Sequence, residues 1–342
     1  MQQSKKMEFI NYGYSIGAIL VVLGHSTPTG TSDLPLFIDD IRTFIYCFHM
    51  PLFFFIAGFL LKYTTNLNKK PYGLFIKNKM IKFLTPYIVF TLIGFIPKVL
   101  LSNFVNDEVG LNFYYFIQSF FNPRLNVWGH FWFLPTLLII YFVSYLLLIA
   151  YKNKAVYAIV IIGAVVLALF PIQTDWFAVK DICGQLIYFC IGILLCDFIV
   201  SKRNQFFKLP IAVITSVVAI FIFVCFKNRF YIEKDAVTNL ISAAIALLML
   251  YSVFYLSVKF EKIDFKPLKH LNGKTFSIYI VSWPCQAAAE ILLNRILGLH
   301  WYIVLPSMFA AGLFIPLTVV YIYGKFKCHP KFINLLLGTN IT

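Results

Sequence analysis

Long apolar runs separated by short polar and basic segments dominate the chain. The runs 15–24, 83–96, 136–151, 156–170 and 240–258 contain no charged residue. A helix needs about 20 mostly apolar residues to cross the hydrocarbon core of a bilayer, and several runs reach or approach that length. Because backbone N–H and C=O groups in lipid must be satisfied within the segment, the pattern predicts transmembrane α-helices.

The spacing of the runs predicts an all-α bundle of about ten transmembrane helices, forming a single domain over residues 1–342. The predicted spans are 9–27, 43–61, 83–102, 131–151, 155–171, 182–200, 210–226, 237–258, 275–294 and 302–324. No internal repeat is visible in the sequence. An inverted-repeat transporter is therefore not favoured.

Composition and charge agree with a membrane protein. Of the residues, 60% are hydrophobic and 13% charged, whereas a globular chain carries roughly 25% charged residues. The net charge is +15, and 21 of the 29 basic residues fall in alternate connections and the two terminal segments. The opposite side holds the other eight: Arg42, Lys98, Arg124, Lys180, Lys227, Arg229, Lys234 and Arg295.

This asymmetry predicts an even number of spans with both termini cytoplasmic. It also explains the positive charge without a nucleic-acid partner. The abundance of Lys, Asn, Ile and Phe suggests an AT-rich bacterial genome, so we expect a multi-pass protein of a bacterial cytoplasmic membrane. The seven cysteines include no CxxC pair, and no residues have metal-ligand spacing. Neither a disulfide framework, a metal site nor a permanently bound cofactor is predicted.

Three histidines lie at similar depth on the predicted non-cytoplasmic side: His25 at the end of the first span, His49 in the second and His130 at the start of the fourth. Ionisable groups at such positions usually face the bundle interior or a water-filled cavity. An imidazole can accept and return a proton near neutral pH, which suits general base catalysis. Asp39 and Asp40, in the predicted connection between spans 1 and 2, are candidates to orient His25 as a carboxylate does in a catalytic triad.

Other interpretations of these features are open. A histidine at a helix end is also typical of an interfacial, hydrogen-bonding residue. The basic connection 62–82 can act as a topology signal in contact with anionic lipid headgroups. It can equally be a docking site for a phosphate-rich cytosolic ligand such as a nucleotide or coenzyme A.

Four ordered motifs carry a family resemblance. They are ILVVLGHS at 19–26, FHMPLFFFIAGFL at 48–60, GHFWFLP at 129–135 and FSIYIVSWP at 276–284. In this order and spacing the chain resembles the membrane-bound acyltransferase 3 family from about residue 9 to 325. Within that family it is similar to the branch of fucose O-acetylases and enterobacterial-common-antigen acetyltransferases.

The resemblance implies a ten-helix enzyme with cytoplasmic termini. It would transfer an acyl group, usually acetyl from acetyl-CoA, to a hydroxyl of a cell-envelope glycan or lipid-linked sugar. His25 matches the family's catalytic histidine. Lys77, Lys79 and Lys82 match the basic segment before the third span and would attract the phosphates of coenzyme A.

The chain departs from the family pattern at two places. Many members carry a basic residue in span 1, where this chain reads YGYS at 12–15. Members also often have a histidine where this chain has Ser282. Arg42, His49 and Arg124 are the candidates to replace those groups.

The acyltransferase hypothesis assigns the remaining candidates to the acceptor or the passage. Trp132, Tyr279, Ser282 and Trp283 would line the passage or the sugar site, while His49 and His130 would donate hydrogen bonds to the acceptor or the developing oxyanion. Helix packing and interfacial anchoring is the other interpretation of the first four. The expected partners are acyl-CoA, the glycan acceptor and membrane lipids, and a homodimer is left open.

Two rival functions are carried forward. One is a non-enzymatic translocator of a polysaccharide or lipid-linked sugar on the same scaffold. The other is a structural or partner-binding subunit of an envelope synthesis complex, which would give an intramembrane His25 little purpose. Coenzyme A binding separates the enzyme from both rivals.

Overall fold

The computed structural model describes residues 7–29, 34–65, 71–100, 113–233 and 235–339. Within these ranges the chain forms thirteen α-helices and no strand. The helices are α1 Glu8–Gly24, α2 Leu36–Thr64, α3 Tyr72–Leu100, α4 Phe113–Phe121, α5 Phe133–Tyr151, α6 Lys154–Leu169, α7 Val179–Phe206, α8 Leu209–Ile232, α9 Ala236–Ile263, α10 Lys266–Lys269, α11 Thr275–Glu290, α12 Trp301–Tyr323 and α13 Lys331–Leu337. A π-helical turn, Ile291–Ile296, continues α11.

Eight helical segments of the described chain are long and apolar enough to cross a membrane: α2, α3, α5, α7, α8, α9, α12, and α11 with its π-helical turn. The apolar helices α1 and α6 are shorter, with 17 and 16 residues. Each predicted span falls on one of these ten helices, which confirms a multi-pass helical bundle. The number of crossings stays a prediction. Residues 101–102 of the third predicted span and the charged residues Lys5, Lys6, Lys69, Lys70 and Lys234 lie outside the described residues.

The two ends of the described chain lie at the same end of the bundle. The Phe9 N–H donates to Glu261 Oε1 at 3.2 Å, and Glu261 also pairs with Arg203 at 3.0 Å. The Ser277 hydroxyl donates to the Leu337 carbonyl, which ties α13 to the start of α11. We call this end of the bundle, where Arg203, Lys266, Lys269 and Lys274 lie, the basic end. The opposite end holds residues 25–29 and 34–35 and the segment 122–132.

The connection between α9 and α11 closes the basic end with a local ion pair. Asp264 ends α9 in a left-handed conformation, with φ of 47°. The Lys269 ammonium lies 2.5 Å from the Asp264 carboxylate and lowers the pKa of that carboxyl. This pair anchors the short helix α10 beneath the bundle.

Helices α2 and α7 pack closely against each other in the core. A Cβ on Gly58 would lie 2.0 Å from the Phe189 carbonyl oxygen, and one on Gly192 would lie 2.1 Å from the Phe55 carbonyl oxygen. Small residues allow such approach where helices associate in a membrane. The contact fixes α2, which carries the candidate residues Asp39, Asp40 and His49, against the rest of the bundle.

Candidate functional site

His25 lies just beyond the last turn of α1, where the helix gives way to an irregular segment. Its backbone N–H still donates to the Val21 carbonyl, so the residue is the C-cap of the helix. The ring is half-buried, and its Nδ1 lies 3.1 Å from the hydroxyl of Tyr46 on α2. The same hydroxyl donates to the Gly24 carbonyl at 3.0 Å. Tyr46 therefore joins the end of α1 to α2 at the position of the candidate base.

His49 lies one turn further along α2 and is buried. Its Nδ1 lies 2.9 Å from the carbonyl oxygen of Ile45, one turn earlier in the same helix. Its ring centroid is 5.1 Å from that of Tyr46. The backbone of α2 itself fixes the orientation of this imidazole.

His130 reaches the same place from the segment before α5. Its Nε2 lies 3.1 Å from the Tyr279 carbonyl, and the Tyr279 hydroxyl donates to the His130 carbonyl at 2.7 Å. The indole of Trp283 stacks on the imidazole, with centroids 5.4 Å apart and planes 18° apart. His130 Nδ1 is buried and has no hydrogen-bond partner among the described residues.

The structure brings these side chains together into one group. The His25 ring centroid lies 4.8 Å from Trp283 and 6.3 Å from His130. We call His25, Tyr46, His49, His130 and Trp283 the histidine cluster. Its members come from the end of α1, α2, the segment before α5 and α11, so their proximity depends on the tertiary fold.

The segment that follows His25 is tied to α11 and its π-helical turn. The Gln286 side-chain amide donates to the Val22 carbonyl at 2.7 Å and to the Ser26 hydroxyl at 2.9 Å. Glu290 accepts from the Thr29 backbone N–H at 2.7 Å and from its hydroxyl at 2.5 Å. π-Helical turns occur frequently at functional sites. Here the turn and the residues before it hold the segment beside His25 in place.

Asn126 makes the hydrogen bonds that hold the segment carrying His130. Its amide donates to the Thr91 hydroxyl and to the Ser119 carbonyl, both at 2.8 Å. Its carbonyl oxygen accepts from the Trp128 backbone N–H at 2.9 Å. Asn126 is 1% exposed, so these bonds satisfy a buried amide and set the path of the chain toward His130.

Arg124 fastens the same segment to α7. Its guanidinium makes a bidentate pair with the buried Asp181, at 3.1 and 2.5 Å. It also lies over the Trp132 ring, 4.2 Å from the centroid. Trp132 is buried and packs beside Phe54 of α2. Arg124 and Trp132 thus belong to the support of the site, and neither is among the cluster contacts of His25.

Asp39 and Asp40, the predicted carboxylate partners of His25, pair with other residues in the structure. Asp39 and Asp40 were expected in a connection, but α2 begins at Leu36 and both residues lie in its first turns. Asp39 pairs with Arg42 at 2.8 Å, and Asp40 pairs with Lys227 at 2.6 Å. Acidic residues are favoured in the first turn of a helix by its dipole. Tyr46 occupies the Nδ1 side of His25 instead.

The family comparison bears on this arrangement directly. The model of the acyltransferase 3 family, described as an acyltransferase domain, matches residues 7–325. The chain belongs to this family. It is accordingly an acyltransferase, and its apolar helices make it a membrane acyltransferase. No curated protein and no solved structure matches the chain.

The predicted donor-binding residues of the acyltransferase lie on α3. Lys77 is exposed. The Lys79 ammonium lies 3.9 Å from the Tyr141 ring centroid, and the Lys82 ammonium lies 5.9 Å from that of Phe276. Cations are attracted to the faces of aromatic rings, so both side chains are held against the bundle.

An aromatic path links these lysines with the histidine cluster. Phe276, Tyr279 and Trp283 follow one face of α11 at intervals of three and four residues. The Phe276 ring lies 6.3 Å from Tyr279, which lies 5.2 Å from His130. We call Phe276, Tyr279 and Trp283 the α11 aromatic row. Ser282, the position at which the chain departs from the family pattern, is buried on the same helix.

Sequence reasoning missed Tyr46, Gln286, Glu290 and Asn126. A signal existed for three of them. Arg42, Tyr46 and His49 recur at helical spacing on α2, which places a hydroxyl on the face of a predicted site histidine. Gln286 and Glu290 are polar residues inside an apolar span, a pattern that indicates function in a membrane helix. Asn126 has no such signal because it lies in an irregular segment.

Proposed function

We propose that this membrane acyltransferase moves an acyl group, acetyl in the first instance, from cytosolic acyl-CoA to a hydroxyl of a cell-envelope glycan or lipid-linked sugar. The motif resemblance to fucose O-acetylases and enterobacterial-common-antigen acetyltransferases supports this acceptor class. The observation that carries the proposal is the histidine cluster at the C-terminal end of α1, connected to basic residues of α3 by the α11 aromatic row.

In the proposed reaction His25 is the general base. The imidazole takes the proton of the acceptor hydroxyl while the hydroxyl oxygen forms a bond to the thioester carbonyl carbon. The carbon–sulfur bond then breaks, and the sulfur leaves with the proton returned by the imidazolium. The products are the O-acyl ester and free coenzyme A, so no further reactant is needed.

The donor would approach from the basic end. Lys77, Lys79 and Lys82 supply positive charge for the phosphates, and their ammonium groups suit phosphate recognition as point charges. The α11 aromatic row gives an apolar surface along which a thioester-bearing arm can extend toward His25. This arrangement requires the basic end to face the cytosol, where acyl-CoA is found.

The acceptor would meet the cluster from the opposite end. Trp283 offers an aromatic face beside His25, and His49 and Ser282 lie on the flanking helices. His130 and Tyr279 hold each other through two hydrogen bonds, so His130 is a firmly placed candidate partner of the acceptor, whose hydroxyl can donate to the buried Nδ1. Ser282 stands at the position where other members often carry a histidine.

The first test is acyl transfer by purified protein in nanodiscs. Release of coenzyme A from acetyl-CoA, with and without sugar acceptors, is measured for the wild type, His25→Ala and His270→Ala. We expect His25→Ala to lose at least about a hundredfold in kcat, because a positioned general base contributes roughly 10²–10⁴. His270 is exposed at the basic end, and its replacement should leave the rate unchanged.

The same preparation separates the rival function. A protein that binds no coenzyme A and turns over no acyl donor, yet moves a lipid-linked sugar across the bilayer, would be a translocator. Unchanged transport in His25→Ala would strengthen that alternative. Turnover that His25→Ala does not diminish would instead remove His25 from the mechanism.

A further inference from the structure

Tyr46 contacts the candidate base in a way that no motif assigns. Its hydroxyl lies 3.0 Å from the Gly24 carbonyl oxygen and 3.1 Å from His25 Nδ1. The phenol ring passes directly over Gly24, where an added Cβ would lie 2.7 Å from Tyr46 Cε1. A glycine before the histidine therefore lets the ring reach the C-terminal end of α1.

The hydrogen bonds among the Gly24 carbonyl, the Tyr46 hydroxyl and His25 Nδ1 select one tautomer of the imidazole. A phenol carries one proton, and a carbonyl oxygen can only accept. With the Tyr46 proton in the bond to Gly24, the phenol oxygen can only accept from His25. His25 Nδ1 must then carry the ring proton and donate it to Tyr46. The Nε2 atom is left with its lone pair, which is the form that a general base requires.

We propose that Tyr46 is the positioning residue of His25: anchored on the Gly24 carbonyl, it holds the imidazole in the Nδ1–H form with Nε2 free to take the acceptor's proton. This inference rests on the proposed acyl transfer by His25. Tyr46 fills the place that a carboxylate has in a catalytic triad, where the third residue sets the tautomer and orientation of the histidine.

The hydrogen bond also survives the proposed proton transfer. When Nε2 gains a proton, both ring nitrogens become donors, and Nδ1–H continues to donate to the same phenol oxygen. The Gly24 bond is likewise unchanged. The base can thus be protonated and deprotonated without rearrangement of its support, although a neutral phenol stabilises the imidazolium less than a carboxylate would.

The neighbouring histidines are held by carbonyl groups in the same manner. His49 Nδ1 faces the Ile45 carbonyl and must carry its proton, whereas His130 Nε2 faces the Tyr279 carbonyl and must carry its own. The three cluster histidines are therefore expected in defined and different tautomers. His25 is the one whose tautomer depends on a side chain, and so it can be tested by a single substitution.

The kinetic test is Tyr46→Phe, which keeps the ring and removes the hydroxyl. We expect kcat to fall roughly tenfold, the factor for one hydrogen bond worth about 1.4 kcal/mol, with KM changed less than about twofold. Tyr157→Phe is the matched control. It removes a buried phenol that donates to the Cys190 carbonyl at 2.8 Å, between α6 and α7. It should lower the unfolding temperature and leave kcat unchanged.

The spectroscopic test does not depend on turnover. Protein labelled with ¹⁵N only in its six histidines is compared with His25→Ala to assign the His25 signals. The wild type should show a protonated Nδ1 and an unprotonated Nε2 at His25. Tyr46→Phe should convert part or all of that population to the Nε2–H form, while the signals of His49 and His130 persist.

The outcomes separate this inference from the proposed function. An Nε2-protonated His25 in the wild type overturns the role of Tyr46 whatever the activity, and so does a Tyr46→Phe enzyme with the wild-type kcat. If the tautomers are as expected but His25→Ala remains fully active, the proposed mechanism fails while the structural assignment stands. Should Tyr46→Phe not fold, the wild-type tautomer alone decides the proposal.

Discussion

Side-chain orientation in the histidine cluster comes from several different partners. His49 bonds to a carbonyl of its own helix, His130 to a carbonyl of α11, and His25 to a phenol of α2. Defined hydrogen bonds on one ring nitrogen set which nitrogen can exchange a proton. At the scale of the residue, chemistry depends on these bonds as much as on the imidazoles.

Gly24 is expected to be essential for a steric reason. In Gly24→Ala the new methyl group meets the Tyr46 ring at 2.7 Å, which forces the phenol away from His25. We expect kcat to fall by at least the roughly tenfold effect of losing one hydrogen bond. Coenzyme A release by purified protein measures it.

Gly163→Ala is the control for this substitution. Nothing lies within 4 Å of a Cβ at Gly163 in α6, so the change should not affect kcat. If Gly24→Ala keeps the wild-type rate, the close approach of Tyr46 to α1 has no role in activity.

At the scale of the element, the packing of α2 against α7 depends on glycines, which have no side chain to separate the two helices. A methyl group at Gly192 would overlap the Phe55 carbonyl and push the two helices apart, whereas Gly184 in the same α7 has open space. Overpacking costs about 1–3 kcal/mol, so Gly192→Ala should lower the free energy of unfolding by that amount or more. Gly184→Ala should be neutral, or stabilising by up to about 1 kcal/mol.

Thermal unfolding of the two variants in the same detergent tests this contact. Equal unfolding temperatures for Gly192→Ala and Gly184→Ala would contradict the close approach of α2 and α7. Because α2 carries Tyr46 and His49, we also expect the destabilised variant to lose activity below its unfolding temperature.

The segment before α5 depends on Asn126 for its path. Asn126→Ala removes three hydrogen bonds of a buried amide, each worth about 0.5–1.5 kcal/mol, while the Thr91 hydroxyl and the Ser119 carbonyl keep their bonds with Tyr87. We expect a lower unfolding temperature and a reduced kcat, because His130 follows four residues later. Coenzyme A release and thermal unfolding measure the two effects.

Asn153→Ala provides the comparison for this variant. Asn153 caps α6 at the basic end, accepting from Ala155 and Val156 N–H groups in an exposed position. Its loss should cost about 0.5–2 kcal/mol of stability without a change in kcat. A fully active Asn126→Ala would show that the segment does not position a reacting group.

At the scale of the whole molecule, the charge pattern predicts that the basic end is cytoplasmic. Cys328 is exposed in the connection before α13, at that end. In intact cells a membrane-impermeant maleimide should not reach it, while inverted vesicles should expose it. Cys328→Ser identifies the label by its loss.

Gln173→Cys supplies the converse position. Gln173 is exposed in the connection between α6 and α7, on the other side of the bundle from Cys328 by the predicted topology. In a Cys328→Ser background this cysteine should react in intact cells. Labelling of Cys328 from outside the cell would contradict the predicted topology. It would also contradict the proposed approach of acyl-CoA from the basic end.

Much of the fold could be predicted from the sequence because each membrane-spanning helix can be recognised from its own stretch of apolar residues. Length and apolarity of each run suffice to locate a span, since a bilayer-spanning backbone has to satisfy its own hydrogen bonds. The positions of His25, His49 and His130 in ordered motifs also indicated the family and a common depth. Those inferences need no knowledge of which helix touches which.

The partners inside the site are decided by the tertiary structure. Asp39 and Asp40 are near His25 along the chain, yet the start of α2 at Leu36 commits them to Arg42 and Lys227. Tyr46 reaches His25 because Gly24 leaves room where α1 meets α2. Trp283 and Gln286 reach the same region from the far end of the sequence. The chain alone thus determines the spans and the family, whereas helix packing determines which hydroxyl, ring or amide faces the candidate base, because those contacts join residues that no local pattern relates.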